Sequence, residues 1–264
     1  MSFEDIIKSS FAGSTAGIIQ LTSLFWLKTL TKHQYRHGTP LHTSAYQLYK
    51  EKDIFRFYRG YLPNLVKVSF GKFGDAALYT YFHQPAFSNL SNEQRSIYIS
   101  LSSSIVKFNL MPLDTYTNMY QVRGKEGATV MKQKIKKNGI KVLYNGSSAF
   151  FISNFIGNAS WFYTLDFLNS KFYKSFHRKD DTKKNMLIGF GCSTVSDLLT
   201  NPIRILKTYK QSNKENITYF QALKEIRESK GLVNFYFRGL GTKLILNGIN
   251  SGIFLVLWKK FENY

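Results

Sequence analysis

Two proline segments hold the residues of this sequence whose types and spacing could do chemistry. In the first, at 109–121, Asp114 follows Pro112 by two residues inside a helical and largely apolar pattern. In the second, at 202–211, Lys207 follows Pro202 by five residues. A proline inside a helix removes a backbone hydrogen bond and bends the chain. Two bends at corresponding places indicate an internal repeat.

Side chains suited to catalysis or metal binding form no convincing set. His33, His37 and His42 cluster near the end of the first long apolar segment, but the pair at 33 and 37 is a weak metal signal, and we interpret all three as loop residues. Cys192 is the single cysteine, so no internal disulfide forms, and its small neighbours favour a packing role. We expect no enzyme activity, no metal and no cofactor in the catalytic sense.

The charge balance predicts an anionic partner. The 264 residues include 36 Lys and Arg against 16 Asp and Glu, which gives a formal net charge of +20. Nucleic acid, an anionic membrane surface or an anionic solute would each fit. The basic residues lie in loops and at the ends of uncharged stretches, which an anionic lipid surface explains better than nucleic acid. We therefore expect no nucleic-acid partner.

Long uncharged stretches predict membrane-spanning helices, although the mean hydropathy is only −0.23. Four gaps in the charge pattern hold 19, 17, 24 and 15 residues: those between Lys8 and Lys28, Asp75 and Glu93, Lys141 and Asp166, and Lys243 and Lys259. A helix needs roughly 20 residues to cross a bilayer. With two shorter runs at 96–106 and 185–196, this makes six candidate spans. Their polar faces must meet protein or line a wet cavity. The N-terminal residues show neither a signal peptide nor a cleavable transit peptide.

Landmarks in these spans repeat three times along the chain. The predicted long helices cover 11–33, 60–85, 97–121, 146–171, 186–211 and 239–264, and short amphipathic helices at 41–52, 126–137 and 218–227 separate the members of each pair. Pro112 lies 34 residues before Gly146, and Pro202 lies 37 before Gly239. Counting 34 residues back from Gly60 reaches Trp26 instead of a proline. The sequence thus predicts one domain over 1–264, built from repeats at about 1–88, 89–180 and 181–264.

These residues resemble the mitochondrial carrier family over nearly the whole chain. The family pattern places Pro-x-Asp/Glu-x-x-Lys/Arg on the odd helices and an aromatic and basic run ending in glycine after each short helix. The runs at 53–60, 139–146 and 231–239 match it, the last with one extra residue. The resemblance implies an all-α membrane protein of six transmembrane helices with pseudo-threefold symmetry about a cavity. It also implies a multi-pass location in the mitochondrial inner membrane, with both termini on the intermembrane-space side.

In that family, the acid and base of each odd-helix motif pair with neighbouring helices and close the cavity on the matrix side. The resemblance maps this matrix gate onto Lys28, Thr31, Asp114, Thr117, Arg204 and Lys207. Only Asp114 with Lys207 remains as an expected ion pair, while Lys28 would face Thr117 and Arg204 would face Thr31. Trp26 leaves the first helix without the proline kink expected in the third and fifth.

The opposite, cytoplasmic gate of the family maps onto the ends of the even helices. Its positions here are Thr80, His83, Asp166, Asn169, Lys259 and Glu262. The implied pairs are Thr80 with Asn169, Asp166 with Glu262 and Lys259 with His83, and none is an acid–base pair in the family's sense.

The same resemblance implies which residues of this chain bind solute and which bind lipid. The cavity midpoint, where family members hold solute, maps onto Lys67, Ser153, Asn154, Leu246 and Asn247. Lys67 is either a weak anion site or a lone charge in a polar cavity. The starts of the even helices resemble the family's cardiolipin sites and include Arg59, Gly60, Gly146, Arg238 and Gly239. Bound cardiolipin is thus implied, although an ordinary helix start with a snorkelling arginine fits the same residues.

Two functions remain open. Because both gates have lost most of their ion pairs, the sequence favours a non-transporting structural subunit of an inner-membrane complex, such as a respiratory or ATP-synthase complex. That interpretation predicts that Trp26 and Lys28 are packing or lipid-edge residues. The alternative is a divergent solute transporter for an anionic metabolite or nucleotide. In it, Lys28, Arg204 and Lys207 attract the anion, and hydrogen bonds replace the ion pairs of the gates.

Overall fold

A computed structural model describes residues 3–51, 54–172 and 182–262, and within these ranges the chain is helical with no strand. The helices in chain order are α1 Phe3–His37, α2 Leu41–Lys50, α3 Tyr61–Phe82, α4 Asn92–Asn109, α5 Met111–Arg123, α6 Glu126–Asn138, α7 Ser147–Phe172, α8 Thr182–Ser212, α9 Tyr219–Phe237 and α10 Leu240–Glu262. Each predicted long segment corresponds to α1, α3, α4 with α5, α7, α8 or α10. The three short amphipathic helices are α2, α6 and α9.

The three odd segments differ in whether the helix continues through the position that Trp26, Pro112 or Pro202 occupies. The predicted helix at 97–121 is broken at Leu110, where α4 ends and α5 begins with Pro112 in its first turn. Proline fits that first turn because its missing N–H would have no helical partner there. In contrast, α8 continues through Pro202 as one helix, and the bend expected there stays a prediction. With Trp26 in place of a proline, α1 is an uninterrupted helix of 35 residues, as predicted.

The long helices form a closed ring in chain order. The packed neighbours are α1 and α3, α3 and α4, α4 and α7, α7 and α8, α8 and α10, and α10 and α1. Inside this ring, α5 contacts both α1 and α8, and α1 contacts α8, so the odd helices converge at one end. The result is an all-α fold of three helical hairpins around a central axis. No helix within the described ranges is both long and apolar enough to meet the usual criterion for a membrane span.

A tight turn before each even helix fixes the contact between successive hairpins. Gly60, Gly146 and Gly239 all have positive φ, at 81°, 86° and 64°, which favours glycine. A β-carbon at each would crowd the odd helix of the next hairpin: Gly60 lies against Thr117, Gly146 against Lys207 and Gly239 against Tyr35. Glycine therefore permits both the backbone conformation and the close approach at all three positions.

Each of the first two hairpins contains an equivalent hydrogen bond from a threonine to a backbone carbonyl, which the sequence pattern did not reveal. Thr29 Oγ1 donates to the carbonyl of Phe57, and Thr115 Oγ1 donates to the carbonyl of Leu143, each at 2.7 Å and across 28 residues. In the third hairpin, Asn201 Nδ2 reaches the carbonyl of Tyr236 at 2.8 Å. A polar side chain of each odd helix thus satisfies a carbonyl in the turn that leads to its own even helix.

Arg56 ties the first hairpin to the second. Its side chain is fully buried. The guanidinium donates to Glu51 at 2.6 Å, to the carbonyl of Gln121 at 2.9 Å and to the carbonyl of Val122 at 3.0 Å. These carbonyls belong to the last turn of α5, where backbone acceptors have no helical partner. The arginine therefore caps α5 from a neighbouring hairpin.

Replacing Arg56 by Met should destabilise the folded protein, because buried carbonyls lose their donors and Glu51 loses the nearer of its two arginine partners. We expect a loss of about 3 kcal/mol in the free energy of unfolding. Thermal unfolding of the purified protein in detergent would measure it. Arg227→Met is the matched control, since Arg227 is exposed on α9. Equal melting temperatures for both variants would contradict the capping role.

Lys134 on α6 joins the second hairpin to the third. It is buried, and its ammonium donates to the carbonyl of Asn213 at 3.0 Å and is 3.5 Å from the carbonyl of Glu215. Burial, with a smaller contribution from the nearby Arg123, lowers the pKa of Lys134 to about 8 from an ordinary 10.5.

The lowered pKa of Lys134 determines whether the stability of the folded protein rises or falls with pH. Between about pH 8 and 10.5 the unfolded chain binds the Lys134 proton more often than the folded chain, so the folded state gains stability as pH rises. A Lys134→Met variant lacks this gain. The difference in melting temperature between wild type and variant should therefore shift in favour of wild type from pH 7.5 to about pH 9.5. If the difference in melting temperature between wild type and Lys134→Met is the same at both pH values, the effect of burial on the pKa of Lys134 is contradicted.

Candidate functional site

A cavity of about 370 Å³ lies inside the ring of helices. Its lining is strongly cationic, with eight basic side chains against the two carboxylates of Asp75 and Asp114. The basic residues come from five helices and are Lys28, Lys32, Lys67, Lys72, Lys107, Arg204, Lys207 and Lys243. Four of them, Lys28, Lys67, Arg204 and Lys207, were expected at the gate or the midpoint of the cavity, and the other four were not.

Asp114 is the centre of the closed end of this cavity. The residue is only 3% exposed. Its Oδ2 accepts a hydrogen bond from Lys207 Nζ at 2.9 Å, and its Oδ1 accepts one from Lys67 Nζ at 3.0 Å. Asn118 Nδ2 also donates to Oδ2 at 3.0 Å. The carboxylate therefore links α5 to α8 and to α3, and the expected pair of Asp114 with Lys207 is present.

Neutral hydrogen bonds join α5 to the other two odd helices. Asn118 Nδ2 donates to Gln211 on α8, and Gln211 Nε2 donates to Thr115 at 3.1 Å. Towards α1, Gln121 Nε2 is 3.4 Å from Thr29 Oγ1. All five side chains are buried. The contacts extend the ionic centre at Asp114 into a polar layer.

The third side of this layer joins α1 to α8. Tyr35 donates to Asn201 Oδ1 at 2.7 Å, and Lys32 Nζ lies 3.3 Å from Thr208 Oγ1. Further along, the Arg36 guanidinium lies 3.9 Å from the centroid of the Tyr209 ring. Each pair among α1, α5 and α8 is therefore connected, and the cavity is closed at this end mainly by hydrogen bonds.

The other two pairings expected for the matrix gate form no hydrogen bond among the described residues and stay predictions. Lys28 lines the cavity, while Thr117 donates internally to the carbonyl of Leu113 at 2.7 Å. Thr31 likewise donates to the carbonyl of Leu27 at 2.9 Å. A helical threonine can satisfy its hydroxyl within its own helix, which leaves it no need for a partner across the gate.

Arg204 makes an ion pair with Asp197. Asp197 is seven residues earlier on the same helix, and Asn247 of α10 donates to its other oxygen. A second acidic centre thus connects α8 to α10. The family motif covers only positions that follow the proline and therefore does not include Asp197, whereas an acid directly after the uncharged run at 185–196 was an available signal.

A third polar cluster lies on the cavity wall at α3 and α4. Lys107 Nζ is 2.8 Å from Asp75 Oδ2, and Ser103 donates to Asp75 Oδ1. Asn158 of α7 donates to Ser103 at 3.1 Å. Lys107, like Lys32, Lys72 and Lys243, was not among the predicted site residues. Helical spacing would have found some of them, because Lys32 follows Lys28 by four residues.

The predicted solute positions have different surroundings. Lys67 is paired with Asp114, so it is not a lone charge. Ser153 and Asn154 line the cavity, and both donate to the carbonyl of Phe150. Leu246 lines the cavity and also packs in a leucine cluster with α1, whereas Asn247 binds Asp197.

The opposite gate is described only in part. Thr80 is buried, while His83 and Asp166 are exposed. The His83 ring stacks on Tyr79, with 4.1 Å between the ring centroids. Asn169, Lys259 and Glu262 lie on described helices, but their side chains are outside the described part of the structure. The three implied pairings across this gate stay predictions.

The positions expected to bind lipid include two arginines that point towards protein. Arg238 is buried, with Nε donating to Asn234 at 2.8 Å. Arg59 Nη1 lies 4.0 Å from Glu51. Both contacts hold the turns near Gly60 and Gly239 in place. Lipid binding at these helix starts, and at Gly146, stays a prediction. It would use the backbone N–H groups of the helix starts as donors to the lipid phosphate.

None of the three histidines is a loop residue, so the interpretation of all three as loop residues was wrong. His33 and His37 lie in the last turns of α1, with their rings 4.4 Å apart, and His42 lies on α2. Among the described residues, no group of three side chains could hold a metal ion. Cys192 is a buried free thiol.

The ring of three hairpins and its basic cavity define the class of protein. The chain belongs to the mitochondrial carrier family: the family's sequence model, described as "Mitochondrial carrier protein", matches three times, at residues 3–89, 93–176 and 178–264.

Two curated relatives are named as carriers. The chain is 25% identical over 175 residues to "Peroxisomal adenine nucleotide transporter 1" of Saccharomyces cerevisiae, covering 59% of this chain and 53% of that protein. It is 24% identical over 286 residues to "Mitochondrial substrate carrier family protein C" of Dictyostelium discoideum, covering 99% of this chain and 59% of that protein. The aligned parts therefore span a little over half the length of these relatives.

Replacing Asp114 by Asn should destabilise the closed end, because Lys67 and Lys207 lose their shared counter-charge in a buried site. We expect a loss of about 3 kcal/mol, measured as thermal unfolding in detergent. Adding Lys207→Gln to this variant removes one unpaired cation and should recover part of the loss. Glu228→Gln is the control, since Glu228 is exposed on α9. A melting temperature equal to that of the control would show that Asp114 does not organise the gate.

Proposed function

We propose that this protein is a membrane transporter for a multiply charged anionic solute, with phosphate esters such as nucleotides as the class of first choice. The observation that carries this proposal is the lining of the cavity, where eight basic side chains accompany two carboxylates. A cavity walled by protein focuses the field of such charges and concentrates anions within it.

Four of the cavity lysines offer charge to a solute. Lys28, Lys32, Lys72 and Lys243 have no carboxylate partner within the described part of the chain, whereas the other four basic side chains contact Asp75, Asp114 or Asp197. Lysine binds phosphate as a point charge, without the fixed geometry of arginine. Four such charges favour a solute with several negative charges over a monocarboxylate.

The uncharged wall of the cavity adds a second type of contact. Phe150, Ser153, Asn154 and Asn158 of α7 line the side without basic residues. Amide and hydroxyl groups there suit the neutral part of a solute, such as a sugar or a base. A phosphate ester with a polar neutral part fits both walls, and one relative is named as an adenine nucleotide transporter.

The closed end supports a transporter over the structural subunit that the sequence had favoured. That interpretation depended on the loss of contacts able to hold a closed state. The polar layer among α1, α5 and α8 supplies such contacts. Lys28 lies in the cavity lining, against the expected packing or lipid-edge role, while Trp26 is 40% exposed and fits such a role. The relatives' names also favour transport.

A mitochondrial membrane is the proposed location, by family membership. The inner membrane, cardiolipin at the helix starts and partner subunits of a respiratory or ATP-synthase complex belong to the proposal. Since one relative is named as peroxisomal, a tagged chain should be localised against markers of both organelles.

Uptake into liposomes tests the proposed transport. Purified protein is reconstituted into vesicles loaded with unlabelled nucleotide, and entry of labelled ATP, ADP, inorganic phosphate and a monocarboxylate is compared. We expect nucleotide uptake that falls by about tenfold in Lys72→Gln/Lys243→Gln, because two charge-assisted contacts are lost. Lys224→Gln, an exposed lysine on α9, should behave as wild type.

Two results would contradict this function. One is uptake that is equal for all solutes and unaffected by the cavity variant. The other is no uptake, together with stoichiometric migration of the chain in a large complex on blue-native gels, which would restore the structural-subunit interpretation.

A further inference from the structure

The charges at the closed end of the cavity are unequal within the described residues. Four ammonium groups, those of Lys28, Lys32, Lys67 and Lys207, line the cavity together with the carboxylate of Asp114. Lys67 takes one oxygen of the carboxylate, and Lys207 with a neighbouring amide takes the other. The carboxylate is therefore fully engaged and does not serve the two lysines of α1.

Lys28 and Lys32 form a pair of like charges on one face of α1. They are four residues apart, so their side chains lie one above the other on the helix. The neutral hydroxyl of Thr208, 3.3 Å away, is the polar contact of Lys32. Lys28 makes no hydrogen bond or ion pair with any described residue. Two neighbouring cations repel each other, and an anion placed between them turns this repulsion into attraction.

A buried amide on α3 lies in the same lining. Asn64 is 3% exposed, lies one turn before Lys67, and its Oδ1 has no hydrogen-bond partner among the described residues. The two ends of an asparagine amide are assigned from its hydrogen bonds, so an unpartnered amide can present Nδ2 to a ligand. Asn64 can therefore supply a neutral donor beside the two ammonium groups.

We infer that Lys28 and Lys32, with Asn64, bind a phosphoryl group at the closed end of the cavity, and that this group takes the place of the acid that the first hairpin lacks in its gate. A tetrahedral dianion has enough oxygens to accept from both ammonium groups and from the amide. The source of the phosphoryl group rests on the proposed function: it is either the terminal phosphate of the transported solute or free inorganic phosphate.

Binding is tested without transport, by thermal unfolding of the purified protein in detergent. Inorganic phosphate is titrated against sodium chloride at matched ionic strength. We expect phosphate to raise the melting temperature of wild type above the chloride baseline, because a ligand that binds only the folded state stabilises it. In Lys28→Gln/Lys32→Gln, half-maximal stabilisation should require about tenfold more phosphate or more.

Two further variants separate the site from general charge. Lys28→Arg/Lys32→Arg keeps both charges and should keep most of the phosphate effect. Lys224→Gln removes an exposed charge on α9 and should keep all of it. A phosphate effect no larger than that of chloride, or one that is equal in wild type and Lys28→Gln/Lys32→Gln, would overturn the inference.

Liposome assays then identify the source. Inhibition of nucleotide uptake by phosphate shows that the solute's own phosphoryl group uses the site, whereas a requirement for phosphate in the buffer shows a resident anion. Absence of all uptake, with a phosphate effect that still depends on Lys28 and Lys32, overturns the proposed transport and leaves the phosphoryl site standing.

Discussion

The closed end of this fold depends on one carboxylate shared between two lysines. Asp114 is buried where three hairpins converge, and it accepts from Lys67 and Lys207 at about 3 Å each. A buried carboxylate is tolerated only when its charge and its lone pairs are both satisfied. Asn118 and Gln211 complete that requirement and extend it into neutral hydrogen bonds towards the neighbouring helices.

Hydrogen bonds around one ionic centre, instead of a ring of ion pairs, close this end of the cavity. On the family pattern, the first hairpin has Lys28 at the position of the acid and Thr31 at that of the base. Hydrogen bonds of Tyr35 and Gln121 then hold α1 against its neighbours, and Arg56 holds the first hairpin against α5. Buried neutral hydrogen bonds cost little if both partners are present and are expensive if one is lost. The gate therefore gains cohesion from many modest contacts around one ionic centre.

Much of the fold could be predicted from charge gaps and landmark spacing, because both follow directly from helix length and repeat geometry. The pair of Asp114 and Lys207 followed from the family pattern. Asp197 and Lys243 did not, because their roles depend on which faces of α8 and α10 turn inward, and a periodic pattern with polar residues on several faces does not fix that rotation. The predicted segment at 186–211 corresponds to the continuous α8, whereas the segment at 97–121 is divided at Leu110, a difference between the two proline positions that the sequence did not indicate.

The two kinds of polar contact in the cavity respond differently to dissolved ions. Attraction of an anion by Lys72 and Lys243 acts through solvent and falls once the Debye length, about 8 Å at physiological ionic strength, becomes shorter than the approach distance. The closing layer around Asp114, with Asn118, Gln121 and Gln211, is buried, so dissolved ions screen its contacts much less. Added salt therefore acts on the filling of the cavity and leaves its closure almost unchanged, which gives an experimenter separate control over the two steps.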